Sequence, residues 1–328
     1  MAERVLVFGG NRFLGIEVVT RLLARGVQVT LLNRGTLKDP FGPLVKRIHL
    51  DRAREALEPR LRHTTWDGVV DLSLFTGDEA ERTARALSGK VGHYVMVSTG
   101  QVYLVRQGAP AVAREADYDG PLLAQPEGPH DADQWRYGVD KREAEAVIHR
   151  AFAATRLRLP MVHGGRDHYR RLDSVVARLL DGGPLLLTRP EAPIRHVFAP
   201  AVARAIDALL TARPTGEAFN LAQDEAVTAR EFLTRVAACV GAPARLLELT
   251  PARLEEAGLD PVKACPFNAT WMSALDARLA RRRLGFQHED LDTYLQSAVY
   301  AGMARWQAPP ASMAQRTKEL RLARMLER

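Results

Sequence analysis

Gly9-Gly10-Asn11-Arg12-Phe13-Leu14-Gly15 decides how this chain is read. The stretch follows an apolar run, Arg4-Val5-Leu6-Val7-Phe8, and opens a segment with helical periodicity that stops at Gly26. A strand, a glycine-rich turn and a helix in that order let backbone approach a pyrophosphate, and the helix N-terminus adds partial positive charge. Gly9, Asn11, Arg12, Phe13, Leu14 and Gly15 are therefore candidate dinucleotide-binding residues. The usual spacing has a middle glycine where this chain has Arg12. An ordinary tight turn gives a similar stretch, so the context must decide.

That context is repetitive. Beyond the turn, strands are expected at Val27 to Leu32, Arg47 to Leu50, Gly68 to Leu72, His93 to Ser98 and Arg156 to Leu159. Helical segments intervene at Ala53 to Leu61, Ala80 to Leu87 and Trp135 to Thr155, with a long loop over 104–134. Alternation of this kind predicts an α/β fold, a Rossmann-type doubly wound parallel sheet, with a smaller mixed C-terminal substrate domain. Residues 1–160 form the expected dinucleotide domain, rejoined by about 193–225, and 161–328 the substrate domain. The last 18 residues, after Pro309-Pro310, are expected to form a basic amphipathic helix.

The bulk composition narrows the function classes. The chain has 328 residues, 46% hydrophobic and 26% charged, enough for a substantial core. No apolar run reaches the ~20 residues of a membrane span, and no leader is visible ahead of the first strand. Cys239 and Cys265 show no metal-ligand spacing, nor do the nine His, so no metal is expected. A cytoplasmic protein with reduced thiols is the expectation. The net charge of +7 invites a nucleic-acid partner. Most of that charge is Arg spread along the whole chain, with no aromatic RNA-binding motif, which favours solvated surface and a small-molecule substrate.

The end of the second strand discriminates between dinucleotides. An acidic residue there would bind the ribose 2′-hydroxyl of NAD; the chain has Asn33-Arg34-Gly35 instead. Arg34, with Arg12, can pair with a 2′-phosphate through a guanidinium fork. NADP is expected over NAD, which stays open. Asp51 and Arg52, just past the third strand, are placed to meet the adenine; a helix N-cap is the alternative for Asp51.

Far downstream, Tyr137-Gly138-Val139-Asp140-Lys141 places a Tyr and a Lys on one helix face. A free Tyr titrates near ~10, too high for proton relay at neutral pH. A neighbouring ammonium favours the phenolate. A surface Tyr–Lys pair is the plain alternative, and the upstream glycine turn weighs against it.

Taken in order, Gly9-Gly10 through Gly15, Val95-Met96-Val97-Ser98-Thr99, Val102-Tyr103, Tyr137 to Lys141 and Arg158-Leu159-Pro160 resemble the short-chain dehydrogenase/reductase superfamily. The size and Phe219-Asn220-Leu221-Ala222 resemble its extended branch, the NAD-dependent epimerase/dehydratase family. The Gly-Gly-x-Arg-Phe-Leu-Gly form is similar to an atypical subgroup that includes plastid stem-loop-binding proteins. The resemblance implies that Thr99 hydrogen-bonds the substrate oxygen and Tyr137 is the general acid/base. It implies that Lys141 holds the nicotinamide ribose and tunes Tyr137, and that Leu72 and Ser73 line the cofactor channel. The reaction implied is hydride transfer at a carbinol or carbonyl carbon. Homodimerisation through helices flanking the sheet is common in the superfamily and is left open here.

The chain also departs from the pattern. Sugar dehydratases of the family carry Asp-Glu right after the Thr; here Gly100 and Gln101 stand there. Met161 replaces an Asn, His163 a Tyr, and Ala201 an Asp. These changes weaken a nucleotide-sugar assignment and spare the redox core. Arg166, Arg170, Arg171 and Arg195 are candidates for an anionic substrate. The competing expectation is a non-catalytic member of the same fold, a dinucleotide sensor or RNA-binding protein.

Overall fold

Val5, Leu6, Val7 and Phe8 are at most 1% exposed, because strand β1 (Arg4–Phe8) is flanked on both edges and covered on both faces. Its neighbours are β2 (Gln28–Asn33) and β4 (Trp66–Asp71), both parallel to it. The computed structural model, which describes residues 3–212 and 215–327, extends this into a seven-stranded sheet. From one edge the order is β3 (Lys46–His49), β2, β1, β4, β5 (Val91–Thr99), β6 (Thr155–Leu159) and the strand Ala218–Asn220. All six pairings are parallel. The chain steps outward from β1 in one direction and then in the other. The crevice outside the strand ends at this reversal is where such sheets bind ligands. The fold read from the sequence is the fold found.

Helices cover both faces. Helix α1 (Leu14–Ala24) and the helix Ala199–Leu209 pack against each other. On the opposite side, α3 (Gly77–Leu87) lies along α5 (Pro129–Ala151), after the short α2 (Glu58–Leu61) and α4 (Gln101–Leu104). Ala80, Ala86, Leu87, Ala144 and Ile148 of these helices bury against Leu6, Phe8, Val69 and Met96 of the sheet. Each is at most 1% exposed, worth about 1.5–3 kcal/mol for each of the larger side chains.

Two elements differ from the expectation. The long helix starts at Pro129 instead of Trp135, since Pro is well suited to a first helical position and Gly128 before it is extended. The helix expected from Ala53 is only Glu58–Leu61. Upstream of it, the Asp51 carboxylate accepts from the Ala53 amide and the Glu55 carboxylate from the Asp51 amide, which favours a turn.

The chain divides into two compact units, one of Met1–Met161, Val197–Ala222 and Ser273–His288, the other of Val162–His196, Gln223–Met272 and Glu289–Arg328. The second holds helices Arg171–Leu180, Ala229–Cys239, Leu291–Met303 and Arg316–Leu326, and the parallel strand pair Leu185–Leu187 and Leu246–Glu248. Its C-terminal helix is anchored along one face, while Lys318, Arg321 and Arg324 on it are exposed. Arg178, fully buried, bonds Glu319, and Arg316 bonds Asp181 and Glu319. Cys239 and Cys265 are both free thiols. Among the described residues, no helix is long and apolar enough to cross a membrane.

Candidate active site

The glycine turn lies at the carboxyl end of β1. Gly9 and Gly10 have φ of 91° and 86°, a region open to glycine and costly for other residues. A Cβ on Gly10 would press within 2.8 Å of Leu31 and 3.2 Å of Val7 and Val19. A Cβ on Gly15 would stand 2.6 Å from the Gly10 Cα, so the helix backbone rests directly on the turn. No side chain caps the first turn of α1, and Phe13 takes the N-cap position at φ 46°. A glycine turn running into a helix N-terminus with no side-chain cap fits a pyrophosphate. Arg12, where a glycine was expected, is exposed, and the left-handed backbone falls on Phe13 instead.

Asn33 ties this turn to the next loop. Its amide nitrogen donates to the Gly9 carbonyl at 3.4 Å, and its side-chain oxygen accepts from the Gly35 amide at 2.9 Å. Asn11 adds a second tie, donating to the Leu37 carbonyl at 3.3 Å. Gly35 presses on His49, where a Cβ would collide. The loop is therefore pinned, and Arg34 projects from it exposed. Asn33 is a scaffold, held between Gly9 and Gly35.

Arg52 is placed differently from Asp51. Its guanidinium is buried and bonds Asp71 with both terminal nitrogens, bonds the Ser73 carbonyl, and stacks on Phe8 at 4.7 Å. Tyr94 donates to Asp71 at 2.6 Å, and burial pushes its hydroxyl well above the usual range. Arg52 thus braces the end of β4, where Leu72 and Ser73 begin, and its side chain is committed there rather than to an adenine. Asp51 caps a local turn at Ala53, not a helix, since the helix that follows starts only at Glu58. Leu72 and Ser73 are the side chains nearest to Gly9, at 3.6–3.8 Å from where its Cβ would be.

Tyr137 and Lys141 sit one turn apart on α5. The Lys141 ammonium lies 5.9 Å from the Tyr137 ring centroid and donates to the Val97 carbonyl of β5 at 3.2 Å. Lys141 is 3% exposed, and burial pulls its ammonium down to about 8, with Asp71 pushing back and Arg52 adding to the fall. Gly138 between them has a structural reason: a Cβ would lie 2.9 Å from the Gln101 carbonyl, so α4 can approach α5 only at a glycine. Thr99 ends β5, two residues beyond Val97, and its hydroxyl accepts from the Gln101 amide at 3.2 Å.

Beneath this site lies a buried polar network. Arg158 forms a two-pronged bond with Glu145 at 3.0 and 2.7 Å and donates to the Tyr103 oxygen at 2.8 Å. Tyr103 donates in turn to Asn220 at 2.7 Å, and Asn220 to the Ala113 carbonyl at 3.1 Å. Burial pushes the Tyr103 hydroxyl up to about 12. Tyr103, Arg158 and Asn220, named in the sequence as three separate motifs, act as one brace. In the second unit, Arg170 and Arg171 pair with Asp173 and Asp167.

Two residues escaped the sequence reading. Asp71 had a signal, an acid ending an apolar strand that must be paired if buried. Phe75 had none; its ring lies 6.4 Å from that of Tyr137 and 5.1 Å from the Lys141 ammonium. Among the described residues no group of three or more His, Cys, Asp or Glu could hold a metal.

The model of the NAD-dependent epimerase/dehydratase family matches residues 5–222. The fold is similar to that of a UDP-glucose 4-epimerase from Thermotoga maritima solved with UDP-glucose, with a TM-score of 0.72 and 17% identity over 92% of this chain and 99% of that one. It is similar to a UDP-N-acetylglucosamine 4-epimerase from Bacillus cereus, with a TM-score of 0.69 and 18% identity over 93% and 98% of the two chains. A dTDP-glucose 4,6-dehydratase from Bacillus anthracis in complex with NAD gives a TM-score of 0.70 and 16% identity over 93% and 97%. No curated protein matches the sequence.

Proposed function

We propose, from the premise that this chain belongs to the NAD-dependent epimerase/dehydratase family, that it is an NADP-dependent reductase or epimerase acting at one carbinol or carbonyl carbon. The substrate class we propose is a small sugar-like or anionic molecule, since the similar folds include enzymes solved with nucleotide sugars. The observation that carries the reading is the buried Lys141 ammonium held beside the Tyr137 ring.

The residues for the dinucleotide are Gly9, Gly10 and Gly15 with the amides of the α1 N-terminus for the pyrophosphate, and Arg34 with Arg12 for a 2′-phosphate. Leu72 and Ser73 wall the channel, and Lys141 meets the ribose. When bound, the nicotinamide supplies or accepts the hydride. Tyr137 moves the hydroxyl proton in the same sense, giving it to the oxygen when the carbon receives hydride and taking it when the carbon gives hydride up. Lys141 supplies positive charge that favours the phenolate, and burial makes that charge felt more strongly than in water. Thr99 donates to the substrate oxygen.

Water elimination is not part of the proposal. A Cβ on Gly100 would lie 2.7 Å from that of Ser273, which leaves no room for the Asp that dehydratases of the family carry there. The test is to supply NADPH and candidate ketose or nucleotide-sugar substrates. A reductase consumes NADPH in step with product; an epimerase inverts one centre with no net consumption. Binding NADH as tightly as NADPH in a fluorescence titration overturns the NADP assignment.

A further inference from the structure

We propose that Phe75 is a positioning residue of this site, its ring holding the Lys141 ammonium beside Tyr137 by a cation–π contact while shutting water out. The proposal concerns the Tyr137–Lys141 pair and rests on the catalytic reading only for its kinetic consequence.

Phe75 is 47% exposed, and its ring lies over the Lys141 ammonium at 5.1 Å. Its ring is not loose. The Phe75 amide donates to the Glu79 carboxylate at 2.9 Å, and Thr76 caps α3 by accepting from the Glu79 amide at 3.3 Å. Leu74 before it is fully buried, and Arg52 grips the Ser73 carbonyl before that. On the other side Gly77 meets Glu143, where a Cβ would lie at 3.3 Å, so the start of α3 packs on α5. A loop fixed at both ends therefore delivers the ring to a set place.

That place matters because the nearby carboxylates are already engaged. Asp71, from β4, is held by Arg52 and Tyr94; Glu145, from α5, is held by Arg158. Glu79, from α3, bonds the Phe75 amide. The Lys141 ammonium has the Val97 carbonyl at 3.2 Å and the faces of Phe75 and Tyr137 at 5.1 and 5.9 Å. A ring face attracts a cation most where water is absent. The same ring has a second effect of opposite sign: by excluding water it disfavours the charged form.

The two effects separate in two variants of the full chain. Phe75→Leu keeps most of the bulk and loses the ring face. Phe75→Ala loses both. With six lysines in the chain, 13C-labelled lysine side chains give a simple NMR titration, and the Lys141 signal is the one missing in Lys141→Met. We expect its midpoint in Phe75→Leu to fall below that of the wild type by about one pH unit. In Phe75→Ala it rises toward that of an ordinary lysine, and in Phe75→Tyr it returns to the wild-type value. The alkaline limb of kcat should move with the midpoint, with KM for the dinucleotide held within about twofold. A Phe75→Leu midpoint equal to wild type, with Phe75→Ala shifted, reduces the ring to a plug and overturns the proposal; so do two unshifted variants. The titration needs no turnover, so an inactive or differently active protein leaves it decisive.

Discussion

Lys141 donates to the Val97 carbonyl at 3.2 Å from a position only 3% exposed. A buried ammonium is an expense to folding, and burial pulls this one down to about 8. The unfolded chain binds its proton up to ~10.4, so between the two values the unfolded state holds more protons and stability rises with pH. Below about 8 the penalty is present in full. Lys141→Met should therefore be more stable than wild type at pH 7 by about 2–4 kcal/mol. That gain should vanish as pH climbs from 8 to 10.5. Urea melts of both proteins at pH 7, 9 and 10.5 measure it; parallel pH curves would contradict it.

Among the described residues, Glu145 is the carboxylate that bonds the Arg158 guanidinium in the buried brace, with Tyr103 and Asn220 completing it. Glu145→Gln leaves Arg158 charged at 2% exposure. The expected loss is about 3–5 kcal/mol, read as a fall in the urea midpoint. A change under about 1 kcal/mol would mean that the brace tolerates a lone charge.

Gly100 and Ser273 are packed Cα to Cβ. Gly100→Ala drives a new Cβ to 2.7 Å from that of Ser273, which should cost about 1–3 kcal/mol. Adding Ser273→Gly should return most of it, a coupling that a double-mutant cycle measures. Additive losses would place the clash elsewhere.

Much of this was legible in the chain itself. β1, the glycine turn and α1 declare themselves because a continuous apolar strand must be buried on both faces and must end where glycine frees the backbone. Tyr137 and Lys141 share a helix face by their spacing, and the upstream glycine turn sets them apart from a plain surface pair. What stayed hidden needed three dimensions. Asn33 ties together Gly9 and Gly35, a role no spacing encodes. Arg52, placed by sequence at an adenine, is instead paired with the buried Asp71 at the end of β4. Phe75 sits beside Lys141 in a loop anchored at Glu79, Ser73 and Gly77, which no spacing encodes.

Arg34 stands exposed beyond the pinned Asn33 turn. Arg34→Glu replaces a phosphate partner with a repelling charge. NADPH affinity should fall at least tenfold, given ~1.5–3 kcal/mol for a bond between charged groups, while NADH affinity stays within about twofold. Equal losses for both would assign Arg34 to the fold instead.

The most direct measurement is turnover of Tyr137→Phe, which removes one hydroxyl and leaves the ring beside Lys141. The account predicts a loss of about 10²–10⁴ in kcat, with dinucleotide affinity intact. Undiminished turnover in that variant would contradict the assignment of the proton to this phenol.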